Sequence, residues 1–383
     1  MINLKNFNDI RLVAFFCVIG LHSILSNIEF TRLIEHPAIF ESVMSNKQFI
    51  MNAFYGNFFK SGTILFFIIS GFLFQMQYQR IDSFLPFIKN KIKSLLKPYL
   101  IIFVLPTILI LLIQPYVGEE KFDLTFFIFF KEFVKEIALS NYWFVPALFI
   151  TLVINYFIKA EYVIKSLFIF IPIWLISYLN IYLKLTLTSH TVWFVGFFFV
   201  FTIGRIICMK EVQISKLKIF NNKYNILLLI IFFYMISSLE SMIILNYAHN
   251  VDYLNTLRIG NILFSVSFFY LLNIIFNKKN IKLPFEICTY FIYLVHPFVL
   301  RITGFFLFYY KFAFNYPSQI LFNLIHLVVV LALCILLHNI FFNLKFKKKY
   351  IAEYVFKNKI NASLPLYYST FIFLKKQVIR SKG

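Results

Sequence analysis

The sequence is poor in acids and in the residues that build metal or phosphate sites. Only 16 of its 383 residues are Asp or Glu, and charged residues make up 14% of the chain. Soluble domains carry roughly 25% charged residues, so this chain could not cover its apolar surface with polar groups. Glycine is scarce at 10 residues, and no Gly-rich phosphate loop occurs. The four cysteines, Cys17, Cys208, Cys288 and Cys334, fall within or beside apolar runs and read as small buried hydrophobes. There is no HExxH and no Cys/His pair at ligand spacing, so no metal site is expected. No internal repeat is visible. No small-residue cleavage site follows the first apolar run, which reads as a retained helix and not a signal peptide.

What the chain has in abundance is apolar bulk: 61% hydrophobic residues, 54 of them Phe, with a mean hydropathy of +0.80. The apolar runs are solid and long, where a β-barrel would need short alternating strands. The expected fold is all-α, a polytopic integral membrane protein with about ten transmembrane helices at 11–28, 58–77, 98–114, 142–158, 164–180, 191–208, 225–243, 256–275, 286–308 and 318–341. Net charge is +21, and its distribution tests that count. With both termini cytoplasmic, the inner segments collect 27 basic residues and the outer loops nine, as the positive-inside rule requires. The acids run the other way, ten outside and six inside. The basic excess is thus topological, with anionic headgroups or an anionic cytoplasmic substrate as further attractants, and no nucleic-acid partner is expected. Residues 1–343 are read as one transmembrane domain and 344–383 as a basic cytoplasmic tail. An outer loop at 115–141, with Glu132 and Glu136 among apolar residues, could lie as a short helix on the surface.

Three stretches hold residues that could carry chemistry. The first span has Arg11 at its mouth and His22 eleven residues on. Eleven residues are close to three helical turns, so both lie on one face about 16 Å apart. An ionisable group at the depth of His22 faces a cavity or the protein interior. It would serve as a base or acyl-relay group, or simply bond across a helix interface. Arg11 would suit a phosphate-bearing ligand, although on physical grounds alone snorkelling is the stronger reading.

The second span reads Phe66-Phe67-Ile68-Ile69-Ser70-Gly71-Phe72, with Ser70-Gly71 permitting close helix approach. It is followed by Lys89, Lys91, Lys93 and Lys97-Pro98-Tyr99. This basic run is either a dock for a cytoplasmic polyanion or a plain anchor. The ninth span carries Tyr293-Leu294-Val295-His296-Pro297. Its His296 should sit near the depth of His22, and Pro297 loosens the helix beside it. Trp143-Phe144 and Trp193-Phe194 begin spans and read as interfacial belt residues.

Taken in order, these elements resemble the membrane-bound acyltransferase-3 family, bacterial O-acyltransferases of cell-surface glycans. The resemblance covers roughly residues 6–341. It rests on Arg11 and His22, the Phe-Phe-x-x-Ser-Gly-Phe of the second span, the basic run ending in Pro98-Tyr99, Trp143-Phe144, and Tyr293 to Pro297. Many members keep two arginines three apart in the basic run, where this chain has Lys91 and Lys93, which lack the bidentate fork.

The resemblance implies an O-acyltransferase, and more narrowly an O-acetyltransferase, of the bacterial inner membrane. No cofactor would be permanently bound, and acetyl-CoA or another acyl-CoA would be the donor substrate. Arg11 and His22 would be catalytic, with Lys91, Lys93, Ser70, Tyr293 and His296 binding donor or substrate. The acceptor would be an envelope polysaccharide or lipid-linked sugar such as a lipopolysaccharide precursor. Fused extracytoplasmic domains found in some members are not seen, which suggests a single-module enzyme working with a periplasmic or membrane partner. Peptidoglycan, a periplasmic glucan with a succinyl donor, or a small metabolite are alternative acceptors. A glycan or lipid transporter is the rival of another class, but it should show repeat halves with broken helices. A non-catalytic scaffold has no use for Arg11 and His22.

Overall fold

In a computed structural model, the structure describes residues 7–34, 46–81, 83–104, 107–108, 129–131, 133–134, 142–189, 191–215, 222–246, 253–278, 289–309 and 318–343. Among these every regular element is helical. In hydrocarbon each backbone N–H and C=O must be satisfied within its own segment, and a run of apolar residues achieves that only as a helix. The principal helices are α1 Phe7–Ile34, α2 Asn46–Tyr78, α3 Phe84–Lys91, α4 Phe144–Tyr156 and α5 Leu167–Leu183. They continue with α6 Phe197–Ser215, α7 Lys223–Asn246, α8 Ile259–Lys278, α9 Thr289–Tyr309 and α10 Ser318–Asn343. Nine of the ten expected spans overlap one of these helices; the described part of the third, 98–114, consists of short helical stretches up to Val104 and residues 107–108. Residues Met1–Ile335 form one compact unit; of a second, Leu336–Gly383, the described part is the end of α10.

The expected count of ten spans is only partly met. By length and apolar composition, four stretches among the described residues qualify: Phe54–Tyr78, Tyr224–Asn246, Ile259–Phe276 and Leu321–Phe341. Helices α4 and α5 are apolar but shorter, at 13 and 17 residues. Helices α1, α6 and α9 carry ionisable residues within their apolar runs: Arg11 and His22, Arg205, and His296 and Arg301. The chain is a multi-pass membrane protein of long apolar helices. Of the surface helix expected around Glu132 and Glu136, residues 129–131 and 133–134 are described and helical. Glu132 and Glu136 themselves, Cys288 and the tail beyond Asn343 lie outside the described residues.

Helix α2 is the hub, packing against α1, α4, α6, α7 and α8. Of its apolar window 72% is buried, against 28% for α7, so α2 is interior and α7 peripheral. Glycine lets neighbours reach its backbone. A Cβ on Gly71 would stand 2.0 Å from Phe201 O, and one on Gly204 would stand 2.1 Å from Ile68 O. Such reciprocal contacts bring α2 and α6 together closer than any larger residue permits. On its other side, Gly62 abuts Ala14 and Cys17, Gly20 meets the Phe59 ring, and the Phe7 and Phe72 rings lie 4.9 Å apart. The residue numbers fall on α1 as they rise on α2, so the two run antiparallel.

Two irregularities position functional segments. After α3 the basic run continues through a π-helical stretch Ile92–Leu96, an α turn Lys97–Tyr99 and a second π-helical stretch Leu100–Val104. Pro98 offers no N–H and crowds the carbonyl four residues back, which widens the helix locally. Helix α5 stops at Lys184, a left-handed residue with φ 51°. The turn beyond it is held by Asn180, whose side chain accepts from Thr186 N at 3.0 Å and donates to Leu187 O at 3.2 Å. Trp193 Nε1 donates to the same Leu187 carbonyl at 2.9 Å.

One interfacial assignment is corrected. Trp143 is only 7% exposed, and its ring packs 5.1 Å from Phe197. It belongs to the core, because α2 and α6 pack against α4.

Candidate functional site

His22 and His296 touch. His22 Nδ1 lies 2.8 Å from His296 Nε2, the rings are stacked with 9° between their planes, and 274 residues separate them in sequence. Helices α1 and α9 pack side by side to bring them together. The Phe15 ring stands edge-on to His296 at 6.0 Å and closes one side.

The second nitrogen of His296 fixes which way the protons run. Its Nδ1 lies 2.6 Å from the Tyr293 carbonyl oxygen. A carbonyl can only accept, so Nδ1 carries the hydrogen. That carbonyl is available because its usual helical partner, the N–H four residues on, belongs to Pro297 and does not exist. With both rings neutral, His296 Nε2 is then an acceptor, His22 Nδ1 is the donor, and the lone pair of His22 falls on Nε2. Tyr293 and Pro297 thus set the tautomer of His296, and His296 sets that of His22. His296 is fully buried and His22 partly exposed, so His22 is the outer, reachable member.

The other expected residues fall around this pair in two groups. Arg11 is half-buried at the start of α1 and donates from Nη1 to Asn8 Oδ1 at 3.3 Å, about 16 Å from the histidines along the helix. Ser70, half-buried on α2, lies close to Phe72 and hence near the Phe7 level of α1. It belongs with Arg11 and not with the histidines. Tyr293 is buried, its ring 5.6 Å from Phe144, and it reaches the pair through its carbonyl.

Lys91 and Lys93 do not share a face, being two residues and roughly 200° apart on a helix. Lys91 is half-buried with Nζ over the Phe87 ring at 5.6 Å, whereas Lys93 is exposed. The basic segment is tied to the start of α9 by Tyr290, whose hydroxyl donates to Leu95 O. His326, a third buried histidine, bonds Thr303 Oγ1 at 2.8 Å.

Several buried polar residues escaped the sequence reading, which counted them as loop charges. Lys60 is 3% exposed. It stands on α2 between Phe59, which meets Gly20, and Ser61, whose hydroxyl lies 3.8 Å from Cys17 Sγ. That places it about a turn from the level of His22.

Arg205 and Arg258 are fully buried. Arg205 donates to Gln75 Oε1 at 2.9 Å, to both oxygens of Asn155 at 3.1 Å and to Ile158 O at 2.9 Å. Its guanidinium also lies over Phe74 and Tyr78. Arg258 donates to Asn255 O, Ser237 O, Ser241 Oγ and Asn57 Oδ1. Glu240, 6% exposed, accepts from Gly260 N at 2.9 Å and from the Tyr182 hydroxyl at 3.4 Å. The signal for all of these was present: each is an ionisable residue inside an expected apolar span, although the charge count placed it with the flanking loops.

Among the described residues no group of three or more His, Cys, Asp or Glu stands together in a metal-binding arrangement. A family model described as an acyltransferase domain matches residues 5–339. No curated protein matches, and no solved structure matches.

Proposed function

The chain belongs to the membrane-bound acyltransferase-3 family, and from that premise we propose that it moves an acyl group, acetyl in the first instance, from cytoplasmic acyl-CoA to a sugar hydroxyl. The acceptor is a polysaccharide or lipid-linked sugar of the bacterial envelope, and the protein sits in the inner membrane with both termini inside. The observation that carries this reading is the His22–His296 contact, which leaves the lone pair of His22 on its outward nitrogen.

Membership of the family makes the chain a membrane acyltransferase, and what remains is how its residues would serve the reaction. In the proposed step His22 Nε2 removes the proton of the acceptor hydroxyl as that oxygen attacks the thioester carbonyl. The carbon–sulfur bond breaks, the CoA thiolate leaves, and the proton held by His22 passes to it. In the carrier variant Nε2 itself attacks the thioester, the carbon–sulfur bond breaks and the CoA thiolate leaves with the imidazole proton. The sugar hydroxyl then attacks the acyl-imidazole, the carbon–nitrogen bond breaks and the hydroxyl proton returns to the ring. Both variants use the same nitrogen. Lys60, the cation nearest in level, would offset the negative charge that develops on the carbonyl oxygen. Arg11, with the lysines of the basic run, would hold the CoA phosphates about 16 Å away along α1. That separation suits a donor whose charged end and thioester are joined by a long chain.

Replacing His22 by Ala and measuring glycan acetyl content in the host tests the proposal. Loss of acetylation at normal protein level is expected. Unchanged acetylation would overturn the assignment.

A further inference from the structure

The end of the bundle away from Arg11 holds a second polar centre that the chemistry at His22 does not use. It lies between α7 and the start of α8, with Asn57 of α2 beneath it. Asn57 is two residues beyond Phe59 on α2, and Phe59 meets Gly20. The centre is therefore level with His22, across α2.

Its charges are balanced. Glu240 accepts from Gly260 N, two residues from Arg258, and Arg258 spends four of its five N–H donors on protein oxygens. A carboxylate or phosphate ligand would find no surplus positive charge here; a neutral one suffers no such penalty.

Unused hydrogen-bonding capacity is concentrated at the same place. Ser237 Oγ, Thr256 Oγ1 and Asn261 Oδ1 are buried without a hydrogen-bond partner, and all three residues are fully buried. Ser237 adjoins Arg258 through its carbonyl, Asn261 is bonded to the Thr256 carbonyl, and a Cβ on Gly260 would stand 2.7 Å from Ser237 Cα. Elsewhere in the bundle, helical Ser and Thr hydroxyls turn back onto the preceding turn, as Ser265 does to Asn261 O and Thr303 to Val299 O. Two hydroxyls that can give or accept, one amide oxygen and a carboxylate that can accept further bonds form an inventory suited to a polyhydroxylated ligand. An aromatic wall adjoins it. Trp174, Tyr178 and Tyr182 recur every fourth residue on α5, with ring centroids 5.6 and 5.4 Å apart, and Tyr182 is the residue that reaches Glu240.

We propose that Ser237, Thr256 and Asn261, backed by Glu240 and Arg258 and flanked by Tyr182, bind the hydroxyls of the neutral sugar acceptor. The proposal rests on the acyl-transfer reading and gives the acceptor its place, opposite the donor's end and level with His22.

The test uses the full-length protein in detergent, radiolabelled acetyl-CoA, and envelope glycan from the host, chemically de-acetylated, as the probe. Ser237→Ala and Thr256→Val remove only the unpaired oxygens. Each is expected to raise the glycan concentration for half-maximal transfer about tenfold, the equivalent of one ligand hydrogen bond. The acetyl-CoA requirement should not change. Ser267→Ala, whose hydroxyl is bonded to Leu263 O, is the control and should leave both unchanged. Variants with normal glycan requirement and raised thermal stability would overturn the proposal while leaving acyl transfer standing. If the wild type transfers nothing, the acyl-transfer reading fails, and equilibrium binding of the same glycan decides the site. Binding weakened in Thr256→Val supports it, and binding that is absent or unaffected by the variant overturns it.

Discussion

The chain from Tyr293 to His296 to His22 makes a quantitative demand. In His296→Ala the donor at His22 Nδ1 loses its acceptor at 2.8 Å. A buried donor left unpaired costs about 1–3 kcal/mol. His22 can escape that cost by swinging away or by shifting its hydrogen to Nε2, and either escape removes the lone pair from the reactive side. If that energy is charged to the transition state, transfer slows roughly 5- to 150-fold. Removing the base itself in His22→Ala should cost more, about 10²–10⁴.

The amide variants separate position from mere loss. Gln can present its oxygen near the place of Nε2, whereas the oxygen of Asn falls short, near Nδ1. His296→Gln should therefore recover more activity than His296→Asn. The measurement is acyl transfer by purified membranes at saturating and limiting acyl-CoA, normalised to folded protein. The loss should fall on the maximal rate and leave the half-saturating acyl-CoA concentration in place. A His296→Ala protein that works at the wild-type rate would refute the reasoning. So would one whose whole defect is weaker donor binding.

Other consequences can be checked alongside. Pro297→Ala restores an N–H that competes for the Tyr293 carbonyl, so transfer should slow several-fold while thermal stability rises, a pairing that unfolding curves and rates together would show. Gly71→Ala puts a methyl 2.0 Å from Phe201 O, and the thermal unfolding of detergent-purified protein should report a loss of about 1–3 kcal/mol. Arg205→Ala abandons four acceptors in the interior; the expected loss is about 3 kcal/mol, seen as reduced yield of folded protein. Lys93→Ala, at an exposed site, should raise the half-saturating acyl-CoA concentration about twofold at low salt. That effect should vanish at 0.5 M salt, where screening is strong, which a salt series of initial rates would reveal.

The helices and their order were legible because lipid leaves the backbone one solution and the apolar runs say where it applies. The pairing of His22 with His296 was partly legible: depth along each helix put the two at one level, but depth carries no information about which helices are neighbours. The tautomer was written plainly in His296-Pro297, since the missing N–H can be read from the sequence, yet its meaning required knowing that the freed carbonyl belongs to Tyr293 and that the imidazole turns back to it. Arg205, Arg258 and Glu240 were misread for a different reason. A charge count treats every cation near the end of an apolar run as solvated, whereas these fold inward onto carbonyls and amides supplied by distant segments. Trp143 failed likewise, since an aromatic at a helix start satisfies the interface rule whether or not another helix covers it.

The central placement of α2 constrains how such an enzyme could change its preferences. One rod carries Lys60 about a turn from the level of His22, Asn57 bonded to Arg258 and Gly71 against α6. On the proposed reading, a substitution there alters chemistry, acceptor contacts and assembly together, so it is rarely beneficial for one without harm to another. Helices α5, α7 and α8 supply the rest of the second polar centre. Lineages that acquire new glycans should therefore diverge along that perimeter, while α2 drifts slowly, and a library randomised at the perimeter will yield altered acceptors from far fewer clones than one randomised on α2.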